Sequence, residues 1–389
     1  MPEFSPATRR LLIHFALGEW DKPLPRVDAD WDEVLTAVRR HRIAGRTYYF
    51  LARHEGDYPP ESFRRSINLV HYQQSRLAIA QYRDFKAVAG RLLDNGVDFL
   101  IVKGPVLAHT IYPNAAIRYI RDTDIIIRGS DREATHATLE SLGYHVAEGG
   151  FGYLPPLVPG VLPMRHAQYV KPQSPLLVEI HYDNFLLDDL MPRDLDAIWR
   201  RAIPVDIEGV TVRTPAPEDH CLHLCAHAHQ HRFSLLFWLS DLLLLLRTYD
   251  ESFDWPLFLR TVETESAQVP VYYAFSLLNA LFGQEFPDGV MEALRPDRFR
   301  RWWHERLIPQ ERTLQLTSDD YPPLSFKSMP LFDSTLTNLL VMSRRPEKIK
   351  FLFRLLFPTR EWLRYRYNLS PEDNVLPLYF TRLFSIEKS

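Results

Sequence analysis

Cysteine is nearly absent: there are two in 389 residues, Cys221 and Cys225. They sit four apart in what reads as one helix and are poorly placed for a disulfide, so no disulfide framework holds this chain. That scarcity predicts a reducing, cytoplasmic setting. Glycine is also sparse, 15 residues against 30 prolines. This balance fits helices punctuated by proline-marked turns and argues against a β-sandwich. Neither sign of charge is in excess, with 46 basic and 49 acidic residues for a net charge of -3. A general nucleic-acid binder would be more basic, although a local patch stays open. Long hydrophobic runs are missing too. The longest, Leu235 to Leu246, contains Asp241 and is too short to span a bilayer, so no membrane span is predicted. Near the start, Leu11-Leu12-Ile13 is broken by His14 and no small-residue cleavage site follows, which argues against a signal peptide. No short repeat or low-complexity tract is visible.

What is there is globular: 46% hydrophobic and 24% charged residues exclude disorder as the main description. The length exceeds the usual single-core size, so more than one domain is expected. Trp31, Val34, Leu35 and Val38, continued by Ile43 and Leu51, recur at three-and-four spacing and predict a helix over 31–55 with Asp30 as its N-cap. A second helix is predicted from Pro60 to Asn95, through Phe63, Ile67, Leu77, Ile79, Phe85, Val88 and Leu92, stopping at Asn95-Gly96.

The pattern then changes. Asp98-Phe99-Leu100-Ile101-Val102 is a short apolar run ending at Lys103-Gly104, as expected of a buried strand. Asp122 to Ile127 reads as a second strand, 131–142 as a helix, and Tyr144–Ala147, His166–Val170 and Leu176–Tyr182 as three further strands. From Pro217-Glu218-Asp219, a helix start with proline and acids in its first turn, the chain is helical again to about Phe357. A proline-rich linker is predicted at Asp319–Pro330.

The strongest chemical signal is Asp122-Thr123-Asp124. Residues two apart on a strand point to the same side, so both carboxylates face one spot. Two carboxylates at the end of a buried strand are costly unless something positive sits between them. Mg2+ or Mn2+ fits, with oxygen ligands from the acids and from phosphates. The competing reading is a pair of strand-end acids in solvent or salt-bridged to Arg118 or Arg121.

Lys103-Gly104, then Tyr112-Pro113, then Arg118 and Asp122-Thr123-Asp124 with its apolar strand, occur in an order that resembles the nucleotidyltransferase superfamily of the DNA polymerase β type. More closely, the chain resembles a bacterial family of uncharacterised nucleotidyltransferases. Val178-Glu179-Ile180-His181 and the His-rich helix through His223, His227 and His231 to Trp238 and Asp241 extend the likeness from about Trp31 towards the C-terminal region. The resemblance implies that Asp122 and Asp124 bind the metal, that Glu179 assists the attacking hydroxyl or completes the metal site, and that His181 lines the site. The superfamily's Gly-Ser turn is replaced here by Gly104-Pro105, and proline removes a backbone N–H. Lys103 and Arg118 are therefore expected to meet the triphosphate by charge, with Gly104 permitting close approach.

His220, His223, His227, His229 and His231 crowd twelve residues. Such spacing can bind a transition metal, but no HExxH or zinc-finger pattern accompanies it, so a structural or substrate-lining role is expected. Arg344 to Arg366 carries eight Lys/Arg with Phe351, Phe353, Trp362 and Tyr365, as a charged helix face over an aromatic core would.

The expected fold is α/β: N-terminal helices over 1–96, a small nucleotidyltransferase core of about five strands in a mixed sheet over 97–185, and a larger helical domain over 186–389. The expected activity is transfer of a nucleoside monophosphate from a nucleoside triphosphate to an acceptor hydroxyl, with Mg2+ or Mn2+. The acceptor, whether small molecule, peptide or protein, stays open. The altered turn leaves two alternatives: a catalytically silent nucleotide-binding or protein-interaction module on the same fold, and a metal-dependent hydrolase built on the histidines.

Overall fold

The computed structural model describes residues 4–54, 56–151, 166–182 and 194–307, and from the C-terminal part 336–337, 339–342, 345–357, 360, 363–364, 367, 369–370 and 372–379. The predicted linker Asp319–Pro330, and Trp362 and Tyr365, lie outside these residues.

Helix α1 (Pro6–Ala16) is capped by Ser5, and α2 (Trp31–Arg40) by Asp30, whose carboxylate accepts from the amides of Asp32 and Glu33. The single helix expected over 31–55 is two. The chain turns at His41–Ile43, with Arg42 at φ 56°, before α3 (Ala44–Ala52). Close packing follows the break. A Cβ on Gly45 would stand 2.2 Å from the Ile117 carbonyl oxygen, so α3 lies directly on the turn that leads to Arg118. Helix α4 (Glu61–Asp94) runs as predicted and ends at Gly96, φ 72°. Its first half sends Phe63 and Ile67 into one core, and its second half sends Tyr82, Phe85, Val88 and Leu92 into another. Leu77 and Ile79, on the stretch between the two cores, are exposed.

The sheet has seven strands in the order β3-β4-β5-β2-β1-β7-β6. They are β1 (Phe99–Val102), β2 (Asp122–Ile127), β3 (His145–Phe151), β4 (His166–Val170), β5 (Leu177–Tyr182), β6 (Ile203–Ile207) and β7 (Val210–Thr214). Strand β2 pairs antiparallel with β1 and parallel with β5, so the sheet is mixed. Helix α5 (Gly104–Thr110) follows β1, α6 (Arg132–Ser141) follows β2, and α7 (Leu195–Arg201) precedes β6. The hairpin β6–β7 was not predicted. It carries the sheet past residue 185 to Thr214, turning at Glu208-Gly209 with φ 52° and 79°.

Alternation along the strands gives the sheet two faces. Phe99, Ile101, Ile125, Ile127, Val178 and Ile180 pack with the second half of α4 and with Leu139 of α6. Leu100, Val102 and Ile126 belong to the other core, together with α1–α3 and the helices that follow β7. Those are α8 (Pro217–Gln230), α9 (Leu236–Thr248), α10 (Trp255–Thr264), α11 (Gln268–Phe282) and α12 (Val290–Leu294), after which α13 covers Arg298–Leu307. The N-terminal helices and the C-terminal helices thus share one apolar core, which sits over one face of the sheet. No helix among the described residues is long and apolar enough to cross a membrane.

Candidate active site

Asp124 lies on the same sheet face as Leu100, Val102 and Ile126, the face towards α8 and α9. The parallel register sets Asp124 beside Glu179 and Ile126 beside His181. Strand β5 alternates buried and half-buried residues, with Glu179 and His181 on the more open side. Pairing β2 with β5 therefore brings three groups together that lie 57 positions apart at the extremes.

Asp124 is the centre. It is only 1% exposed, and its Oδ1 is 2.8 Å from Lys103 Nζ and 3.0 Å from His181 Nε2. Its Oδ2 is buried with no hydrogen-bond partner among the described residues. Burial opposes ionisation of Asp124, but the Lys103 charge and the His181 hydrogen bond outweigh it and hold the carboxyl well below the usual range. Asp122, two residues back, goes the other way. Burial, reinforced by the charges of Asp124 and Glu179, pushes its carboxyl up to about 6. Glu179 Oε1 accepts a 2.6 Å bond from Gln168 Nε2, and Oε2 is 3.9 Å from His181 Nε2. Asp124, Glu179 and His181 each offer one ligand atom, all within 4.8 Å of one another. Asp122 is not in that convergent set.

Lys103 arrives on an elbow between β1 and α5. Its backbone sits at φ 58°, ψ -119°, a region that favours glycine. The next residue, Gly104, is pressed against β2: a Cβ there would stand 3.0 Å from the Asp122 carbonyl oxygen. Lys103 stays charged because Asp124, then Asp122 and Glu179, offset its burial and raise its pKa.

Arg118 is placed differently from the phosphate ligand expected. Its Nη2 and Nε donate to Asp241 of α9 at 2.7 and 3.3 Å, and Nη1 donates to the Gly104 carbonyl at 3.1 Å. Arg46 of α3 reaches the same carboxylate at 3.4 Å, and the Tyr112 hydroxyl donates to it as well. Arg118 is therefore the inner clasp between the helical layer and the Lys103-Gly104 turn. Gln168 and Arg46 were not anticipated, and Tyr112 was singled out only within the Tyr112-Pro113 likeness, without a role. Gln168 could have been found only from the register, which sets it opposite Glu179.

The histidines divide. The His220 ring meets the Lys103 amide. His227 and His231 pack on Trp238 at 5.3 and 4.9 Å, and His229 packs on Phe233. Among the described residues, none of them joins a metal-binding group.

A family model described as "Uncharacterised nucleotidyltransferase" matches residues 28–283. The chain belongs to this family. The match begins just before α2 and ends at Gly283, the left-handed C-cap of α11, so it takes in helices on both sides of the sheet. No curated protein matches the chain.

Proposed function

We propose that this nucleotidyltransferase moves a nucleoside monophosphate from a nucleoside triphosphate to an acceptor hydroxyl, using Mg2+ or Mn2+ and releasing pyrophosphate. One observation carries the reading: Asp124 has a buried, unpartnered Oδ2, and Asp124, Glu179 and His181 each offer a ligand atom within 4.8 Å of one another. The donors suit such a cation, with carboxylate oxygens from Asp124 and Glu179 and one imidazole from His181 converging, and Asp122 two residues from Asp124 on the same face of β2.

Asp122 and Asp124 would hold the cation, and His181 keeps Asp124 oriented and ionised. Bound there, the metal would draw charge from the phosphates and acidify the acceptor hydroxyl. Lys103 turns its ammonium from Asp124 towards the triphosphate, as a compact point charge can. The acceptor oxygen bonds to the α-phosphorus while the bond from that phosphorus to the bridging oxygen breaks. Pyrophosphate leaves with the electron pair, and the hydroxyl proton goes to Glu179, which Gln168 holds in place. Catalysis on this reading is positioning and charge neutralisation.

Titration with a non-hydrolysable triphosphate tests it. Wild type is expected to bind only with Mg2+ or Mn2+ present, and Asp124→Asn to fold normally and lose that dependence. Equal affinity in the presence of a chelator would overturn it. A silent nucleotide-binding module has one feature in its favour, Pro105, which has no N–H to offer a phosphate. Both readings bind nucleotide, and only the first moves the α-phosphorus.

A further inference from the structure

We infer that His220 is a positioning residue of this site: from the first turn of α8, its ring holds the Lys103 backbone and so fixes the elbow that presents the Lys103 ammonium. The inference rests on the reading of Lys103 as the triphosphate's cation.

The elbow needs an outside anchor. A non-glycine residue in this backbone region is strained and persists only where its surroundings over-determine it. Glycine would relieve the strain but would leave the site without an ammonium. The strain is held from several sides. The Lys103 amide donates to His220 Nε2 at 3.1 Å, and its carbonyl accepts from the Leu107 amide at 2.9 Å. Its Nζ reaches Asp124, and Arg118 grips the next carbonyl, that of Gly104. Of these bonds, only the one that the Lys103 amide donates to His220 ties that amide to the helical layer.

His220 is built for this contact. It is 3% exposed, and its own amide already bonds to the Ala216 carbonyl, so its side chain is not needed to cap α8. A backbone N–H can donate only to an unprotonated ring nitrogen, which fixes His220 as the neutral tautomer with its proton on Nδ1. The surroundings favour that form: burial, with Arg118 and Lys103 nearby, pushes its pKa down to about 3. The next histidine of the stripe, His223, has its ring 6.4 Å away. His220 thus links α8 to the end of β1.

Two variants separate anchoring from mere packing. His220→Gln keeps an acceptor at the reach of Nε2, and His220→Leu fills the space without one. If the leucine variant fails to fold, His220→Asn replaces it, since its amide ends one bond short. The first readout needs no nucleotide: hydrogen exchange at the Lys103 amide should speed up roughly tenfold or more in His220→Leu and stay slow in His220→Gln. The second is affinity for a non-hydrolysable triphosphate with Mg2+. It should fall about tenfold in His220→Leu, recover in His220→Gln, and fall no further when His220→Leu is added to Lys103→Ala. Unchanged exchange in His220→Leu overturns the anchor. Faster exchange with wild-type affinity, where Lys103→Ala has lost affinity, overturns the positioning role and leaves the nucleotide reading standing. A wild type with no triphosphate affinity overturns the nucleotide reading and the positioning role with it, whatever the exchange result.

Discussion

Replacing Asp241 with asparagine tests how the helical layer is fastened to the sheet. Asp241 is fully buried and receives Arg118, Arg46 and the Tyr112 hydroxyl. Arg46 is 2% exposed, so neither water nor any other carboxylate seen in contact with it can replace the lost charge. Asp241→Asn keeps the shape and leaves two buried guanidiniums uncompensated. Removing one partner from a buried ionic group costs about 3–5 kcal/mol. That is a large share of the roughly 5–15 kcal/mol by which domains of this kind are stable. Urea denaturation followed by tryptophan fluorescence should show an unfolding free energy lowered by that amount, read from the fall in the midpoint at unchanged slope. The combined variant Asp241→Leu, Arg46→Met, Arg118→Met should recover most of it, because apolar replacement of a whole buried ionic group is often neutral. A loss below about 1 kcal/mol in Asp241→Asn would refute the reasoning, since exposed ion pairs contribute only that much.

Acid should destabilise the fold through its buried neutral histidines. Burial pushes His41, His220 and His304 down to about 3 and His229 well below its ordinary 6.5. The unfolded chain therefore takes up protons that the native state refuses. Stability is full above 6.5 and is lost as pH falls towards 3, with a drop from about pH 7.5 to about pH 5.5 worth about 1.4 kcal/mol per histidine, or about 4–6 in all. A measured loss under about 2 kcal/mol would sink this. Lys103→Met should tighten Mn2+ binding in the absence of nucleotide, because Lys103 Nζ no longer competes for Asp124, while weakening triphosphate binding by roughly 1–3 kcal/mol. Calorimetry showing both affinities falling together would contradict it. Gly45→Ala places a Cβ 2.2 Å from the Ile117 carbonyl oxygen and should cost about 1–3 kcal/mol of stability. An unchanged melting temperature would mean that α3 does not lie on that turn.

The strand acids were legible because strand alternation is local: Asp122 and Asp124 share a face whatever the rest of the chain does. Their companions were not. Glu179 and His181 reach Asp124 only through a parallel pairing across the sheet, and only the family likeness of Val178-Glu179-Ile180-His181 pointed there. Arg118 was visible as a cation near the acids, but its partner lies 123 positions away on another layer. Nothing local tells an arginine facing phosphate from one facing Asp241. The hairpin β6–β7 escaped because Pro204 and Asp206 interrupt its apolar pattern, and Glu208-Gly209 is a weaker turn signal than Asn-Gly. The break between α2 and α3 occurs at Arg42, φ 56°, with no proline or glycine at the turn itself to mark it, and the close approach of α3 to Ile117 at Gly45 is a tertiary contact that local sequence does not show. Long α4 and the stop at Asn95-Gly96 were readable because periodicity and cap agree.

We propose that the cluster around Asp124 moves a nucleotidyl group. This is tested most directly by supplying a nucleoside triphosphate labelled at the α-phosphorus, and in parallel one labelled at the γ-phosphorus, with Mg2+ or Mn2+ and a cell extract as the source of acceptor. The α-label is expected to pass to an acceptor while the γ-label is released as pyrophosphate, and both events are expected to stop in Asp124→Asn. Transfer of the γ-label, or α-label transfer that survives Asp124→Asn, would contradict it.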